Sequence, residues 1–139
     1  MVREFDHTKE SNQETEDSEL QEQIEEPSRE LAEKILSECS FEDRFMGYRL
    51  RERAGSVPVV CYSFEEVVNL LRDKLPMIDL PGLARWVREV MTDEALADKM
   101  AAAKNKGQND YERILLVRDL AEERLSQCKT VMARMKQRG

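Results

Sequence analysis

The sequence predicts an all-α domain, an orthogonal or irregular bundle of about six helices with a long C-terminal helix and a disordered acidic N-terminal tail. Two observations support this prediction. Apolar residues recur at spacings of three and four in several stretches, and a helix-capping residue precedes most of them. Only residues 56–62 have the valine-rich composition of a strand, and a single strand has no partner with which to form a sheet.

The longest predicted helix runs from Asn109 to about residue 137. Asn109 and Glu112 form a capping box, and neither proline nor glycine interrupts the chain before Gly139. In its second half, apolar residues follow Ala121 at alternating spacings of four and three and form one narrow seam. The seam consists of Leu125, Cys128, Met132 and Met135. It exposes more apolar edge than one small bundle needs, and therefore predicts a surface that binds a protein partner or a second copy of the chain.

The N-terminal part of the chain is strongly acidic. Residues 1–42 hold fourteen of the 29 acidic residues but only four of the 22 basic ones, so the net charge of −7 arises there. Residues 1–26 contain too few apolar side chains to offset the entropy lost on ordering, which predicts a disordered tail followed by a helical domain at 27–139. Such a tail either keeps the protein in solution or folds back on basic residues of the domain.

Order is expected to begin at Ser28, which can cap a short helix. A second helix is predicted from Ser40 to the Ala54-Gly55 pair, with Gly47 marking a close helix crossing. One side of this helix is basic, through Arg44, Arg49, Arg51 and Arg53. Because acidic residues are intermixed with them, these arginines form either a salt-bridged helix surface or a patch that holds phosphate and stacks bases.

Residues 56–62 are predicted to be a linker laid over the bundle, since Pro58 lacks an amide hydrogen and would confine any strand to an edge. Further helices are then indicated by a capping box at Ser63 and Glu66, by Pro81 in a first turn and by Thr92 as a cap.

The sequence lacks the residue patterns on which several common catalytic and binding sites depend. The single histidine, His7, lies in the tail, and the five glycines are not clustered as in a phosphate-binding loop. Cys39, Cys61 and Cys128 have neither a metal-ligand spacing nor an even number, which predicts reduced, buried thiols and a cytoplasmic location. No apolar run approaches the roughly 18 residues of a membrane span. No catalytic residue, cofactor, metal site or small-molecule substrate is therefore predicted.

The function predicted from these patterns is that of a non-catalytic interaction or assembly module, which contacts a protein partner or another copy through the C-terminal seam. The alternative is a nucleic-acid-associated protein that uses the four arginines from Arg44 to Arg53 and the basic C-terminus, which contains Lys129, Arg134, Lys136 and Arg138.

Overall fold

The computed structural model describes residues 24–74, 76–103 and 105–138. In these ranges the chain forms five α-helices and one three-stranded antiparallel sheet. The helices are α1 (Arg29–Ile35), α2 (Phe64–Leu71), α3 (Leu80–Glu89), α4 (Glu94–Ala103) and α5 (Asp110–Arg138); the strands are β1 (Phe45–Arg51), β2 (Gly55–Cys61) and β3 (Pro76–Met77). The fold is therefore mixed α and β, and the prediction of an all-α bundle is wrong.

The error lies in the segment from Phe41 to Cys61. Its aromatic residues recur at helical spacing, but the segment forms a short 3-10 turn, Phe41–Asp43, followed by the β1–β2 hairpin. The two strands pair from Phe45 opposite Cys61 to Arg51 opposite Gly55. The segment predicted to be a linker forms most of β2, and the segment predicted to be a helix forms β1. The two strands pair with each other, so the valine-rich strand does have a partner.

The hairpin turn needs an unusual backbone conformation. The amide of Ala54 donates a hydrogen bond to the carbonyl of Arg51 at 3.2 Å, and Arg53 lies in the left-handed region with a φ of 72°. Glycine adopts that conformation more readily than arginine does. Beyond the turn, β2 forms one edge of the sheet, because the strand order is β2-β1-β3, and Pro58 sits in the middle of this edge strand.

Helix α2 covers the inner face of the sheet. Phe45 and Cys61 are buried on that face, and a Cβ atom added at Gly47 would lie 2.6 Å from the Cδ2 atom of Leu70 in α2. Gly47 therefore does mark a close approach, but of a helix onto a strand. Trp86 of α3 extends this core, since its ring lies 5.7 Å from that of Phe45.

The long C-terminal helix is confirmed, and α5 contacts α1, α2 and α4. At its start the side chain of Asn109 accepts a hydrogen bond from the amide of Glu112 at 2.9 Å. The predicted caps Ser28 and Ser63 also accept amide hydrogen bonds at the starts of α1 and α2. Thr92 was predicted to cap the next helix and does not, because the side chain of Asp93 accepts from the amide of Leu96 instead, at 3.1 Å.

Most of the tail predicted to be disordered, residues 1–26, lies outside the described residues. Of its described part, Ile24 belongs to the buried core, and its carbonyl accepts a hydrogen bond from the side chain of Gln127 at 2.9 Å. Glu26 forms an ion pair with Arg134 at 2.8 Å. The segment that precedes α1 therefore packs along the second half of α5.

Candidate functional site

One face of the sheet is apolar and exposed. Seven large hydrophobic side chains are exposed among the described residues, and five of them project from the side of the sheet opposite to α2. Side chains alternate along β1, and directly paired residues share a face, so Met46 lies beside Val60 and Tyr48 beside Met77. This outer sheet face consists of Met46, Tyr48, Leu50, Val60 and Met77, each between 38% and 45% exposed, together with the exposed Pro58.

Charged residues lie beyond both ends of the outer sheet face. At the hairpin end, Arg53 and Glu52 are exposed in the turn, whereas Arg51 lies on the α2 side of the sheet, where it contacts Asp73 at 3.9 Å. The end where β1 begins carries Glu42 and Asp43, with Arg44 beside them. The apolar side chains between the two ends offer one polar atom, the hydroxyl of Tyr48, so the face is suited to apolar contact.

A groove adjoins the face at Met77. It has a volume of about 640 Å³ and lies between the segment from Pro76 to Pro81 and the first turns of α5. Ile78, Leu80 and Ile114 give it apolar walls, and Arg113 and Asp110, which form an ion pair at 3.0 Å, line it as well. Apolar surface thus continues from the sheet towards the start of α5.

The four residues of the predicted C-terminal seam differ in their exposure to solvent. Leu125 is 5% exposed and Cys128 is fully buried, and both belong to the core of the domain itself. Met132 and Met135 are partly exposed. One row of inward residues on α5 follows Val117 at spacings of four and three and consists of Ala121, Arg124, Cys128 and Val131. Two of the four seam residues are therefore inaccessible to a partner while the domain is folded.

The four arginines of the predicted nucleic-acid patch do not lie on one surface. Arg49 and Arg51 lie on the α2 side of β1, where both contact Asp73, at 3.4 Å and 3.9 Å. The guanidinium of Arg44 lies 3.8 Å from the centre of the Phe41 ring, and Arg53 stands at the turn. At the basic C-terminus, Lys129 pairs with Glu65 at 3.1 Å, just as Arg134 pairs with Glu26.

A buried ion pair links α5 to the start of α4. Arg124 and Asp93 are 2% and 1% exposed, and two of the guanidinium nitrogens lie 2.8 Å and 3.1 Å from the two carboxylate oxygens. The third nitrogen, Nη1, donates to the carbonyl of Glu25 and to the side chain of Gln127, both at 2.8 Å. This cluster fastens three segments of the chain to one another, and it satisfies a charge that would otherwise be costly to bury.

Sequence reasoning missed this cluster, although a signal for it existed. Arg124 occupies an inward position in the four-and-three spacing of α5, and an arginine at such a position needs a buried carboxylate. Which of the 29 acidic residues supplies that carboxylate is shown only by the fold, which brings Asp93 to Arg124.

The three cysteines are free thiols. Burial raises the pKa of Cys61 to about 11 and that of Cys128 to about 11, and burial also raises the pKa of the less enclosed Cys39. Since the thiolate is the reactive form, all three are poor nucleophiles at neutral pH. Cys61 and Cys128 are core residues, and Cys39 is partly buried against the core.

Within the described residues, no group of three or more His, Cys, Asp or Glu side chains converges as metal ligands would. In the same part of the chain, no helix has the combination of length and apolar character needed to cross a membrane. Comparison of the chain with protein-family models, with curated proteins and with solved structures gave no match.

Proposed function

We propose that this protein is a non-catalytic interaction module and that the outer sheet face is the surface that binds its protein partner. The observation that supports the proposal is the concentration of exposed apolar side chains, five of the seven in the described chain, on one side of a small sheet. Scattered exposed hydrophobic residues are common, but a contiguous apolar patch is typical of a binding surface.

The sheet face is better placed than the C-terminal seam for this role. Leu125 and Cys128 are committed to the core, and exposing them would require α5 to leave the domain. The residues of the sheet face need no rearrangement, because the strands already present them to solvent. Tyr48, at the centre, belongs to the residue types that contribute most to binding energy at interfaces.

The nucleic-acid alternative has less support. Binding to phosphate needs several cations on one surface, but Arg49 and Arg51 already share the carboxylate of Asp73, and Arg44 lies over an aromatic ring. Nucleic-acid binding stays a second prediction. It would be supported if the protein is retained on a nucleic-acid column and this retention falls steeply as the salt concentration rises.

The test compares two substitutions of the same kind. Tyr48→Glu places a charge at the centre of the face, whereas Tyr111→Glu places the same charge on an exposed tyrosine at the start of α5, where the original ring is 64% exposed. Each full-length variant is immobilised, and the proteins it retains from an extract of the cells that make it are identified. We expect the native chain and Tyr111→Glu to retain the same proteins and Tyr48→Glu to lose them.

The proposal fails if all three chains retain the same proteins. Circular dichroism and thermal unfolding show whether Tyr48→Glu remains folded. If it does not, Leu50→Ser, which removes apolar area from the same face without adding a charge, replaces it.

A further inference from the structure

The segment that precedes α1 packs against the second half of α5 as a bound peptide would. It belongs to no helix or strand, and its buried residues are three positions apart: Ile24 and Pro27 are buried, whereas Glu25 and Glu26 between them are exposed. A polyproline-type segment, with three residues per turn, presents its side chains in this way. The next residue, Ser28, has a φ of −68° and a ψ of 167°, which are typical of that conformation.

Two side chains of α5 bind the backbone of this segment. Nη1 of Arg124 donates to the carbonyl of Glu25 at 2.8 Å, and Nε2 of Gln127 donates to the carbonyl of Ile24 at 2.9 Å. The domain itself holds both donors in place. Oε1 of Gln127 accepts from Nη1 of Arg124 at 2.8 Å, so its Nε2 is turned towards the segment, and the other nitrogens of Arg124 bind Asp93. Donors that are fixed in advance lose little freedom when a peptide binds.

Other contacts select particular side chains at three of the four positions. Ile24 is 3% exposed and belongs to the core cluster, and Pro27 is buried as well. Nη1 of Arg134 lies 3.0 Å and 2.8 Å from the two carboxylate oxygens of Glu26. The side chain of Glu25 is exposed, so this position accepts many residue types. The site therefore fits an apolar residue, any residue, an acidic residue and a proline, in that order.

The helix that follows does not depend on this segment. The side chain of Ser28 accepts from the amide of Leu31 at 3.1 Å, its carbonyl accepts from the amide of Ala32 at 2.9 Å, and α1 itself contacts α5. If the segment leaves, Arg124 still binds Asp93 and Gln127, so no buried charge loses its partner. Release therefore costs only the contacts of the segment itself, as expected for a terminal region that opens locally while the domain stays folded.

From these contacts we propose that the second half of α5 carries a peptide-binding site and that residues 24–27 occupy it as a replaceable internal ligand. Its partner is a protein with an extended segment of the same pattern, an apolar residue followed two positions later by an acidic residue and then by proline. This site shares no residue with the outer sheet face. Because the internal ligand is tethered beside it, a partner meets an occupied site and binds with a reduced apparent affinity.

The experiment measures binding of a fluorescent peptide with the sequence of residues 22–30 to the full-length protein by fluorescence anisotropy. Ile24→Asp in the protein removes the apolar anchor of the internal ligand, whereas Phe41→Asp adds the same charge at a hydrophobic residue that is 64% exposed. We expect Ile24→Asp to bind the peptide at least about tenfold more tightly than the native chain, because its site is open, and Phe41→Asp to bind it as the native chain does.

Circular dichroism shows whether Ile24→Asp is folded. If it is not, Glu26→Lys replaces it, since Glu26 is exposed and this change breaks only its ion pair with Arg134. The expected gain in peptide affinity is then about two- to fivefold, which is the contribution of one exposed ion pair.

Peptide variants test the pattern against the opened protein. A peptide with Asp in place of Ile24 should not bind, and one with Lys in place of Glu26 should bind more weakly than the native sequence. Adding Arg134→Glu to the opened protein should reverse the order of the Glu and Lys peptides. Lys129→Glu is the matched control, because Lys129 is an exposed cation of α5 that pairs with Glu65, and it should leave the order unchanged.

Several results would overturn the inference. These are equal peptide affinities of the native and opened proteins, equal binding of the peptide that lacks Ile24, or a peptide order that Arg134→Glu does not alter. Self-association of the native chain that Ile24→Asp abolishes would identify the segment of a second copy, and not a partner protein, as the occupant. Peptide binding that Tyr48→Glu abolishes in a folded protein would place the peptide on the outer sheet face instead.

Discussion

The buried pair of Arg124 and Asp93 gives a sharp test of the packing around α5. In Asp93→Ala, the guanidinium of Arg124 stays buried without its counter-charge, and removing one partner of such a pair costs about 3–5 kcal/mol. The amide of Leu96 also loses its cap, which costs about 1 kcal/mol more. The expected loss of about 4–6 kcal/mol is a large part of the 5–15 kcal/mol that stabilises a typical domain.

A double-mutant cycle separates the pair from the cap. Asp93→Asn keeps a side-chain oxygen for the amide of Leu96 but removes the charge, and Arg124→Met removes the other charge while keeping apolar volume. Either single change leaves one buried charge unpaired, whereas the double variant leaves none. The double variant should therefore be more stable than the sum of the two single losses predicts, by at least about 2 kcal/mol.

Urea unfolding followed by far-ultraviolet circular dichroism measures these free energies. Glu122→Gln is the matched control, because Glu122 also lies on α5 and binds an arginine, Arg72, at 2.6 Å, but that arginine is 52% exposed. Exposed pairs contribute about 0–1 kcal/mol, so the control should lose little. A loss below about 1 kcal/mol for Asp93→Asn, or a coupling energy near zero, would refute the reasoning.

Three further outcomes follow from single features of the fold. Gly47→Ala should destabilise the domain by about 1–3 kcal/mol in urea unfolding, because its Cβ would meet a buried leucine of α2 at 2.6 Å; an unchanged midpoint would contradict that contact. Arg53→Gly should raise the free energy of unfolding by about 0.5–1 kcal/mol, since glycine accepts the positive φ without strain; a destabilised variant would contradict the turn geometry. In native protein at pH 7.5, iodoacetamide should modify Cys39 before Cys61 and Cys128. The pKa of about 11 of these two thiols leaves well under about 1% thiolate until the chain unfolds or the pH approaches 11. Equal modification rates of the three cysteines, measured by mass spectrometry, would contradict the burial of Cys61 and Cys128.

The parts of the fold that could be predicted are those whose signals are local. The capping residues Ser28, Ser63 and Asn109 act within four positions of themselves, so their helices start where the sequence predicts. The hairpin could not be recognised in the same way. Its turn contains Arg53 in a conformation that normally indicates glycine or asparagine. The apolar residues that alternate with Arg49 and Arg51 along β1 face outward, the reverse of the usual strand pattern, and the spacing of Phe41, Phe45 and Tyr48 also fits a helix.

The candidate site escaped prediction for a related reason. The apolar residues of the outer sheet face look like core residues in the sequence, and only the pairing of β1 with β2 and β3 reveals that no element of the described chain covers them. Conversely, Leu125 and Cys128 had the spacing of an exposed seam but are buried in the core, in the same part of α5 where Arg124 also points inward.

Pro58 limits the addition of further strands at the β2 edge of the sheet. A sheet with an open edge and an apolar face would be prone to grow sideways by adding strands from other copies, which is the geometry of aggregated fibres. The missing amide hydrogen of Pro58 interrupts that growth at the middle of β2, while the neighbouring face stays open to a ligand that packs from above. Pro58 thus protects one edge of the sheet, and the other edge is formed by the two-residue strand β3, which also contains a proline, Pro76.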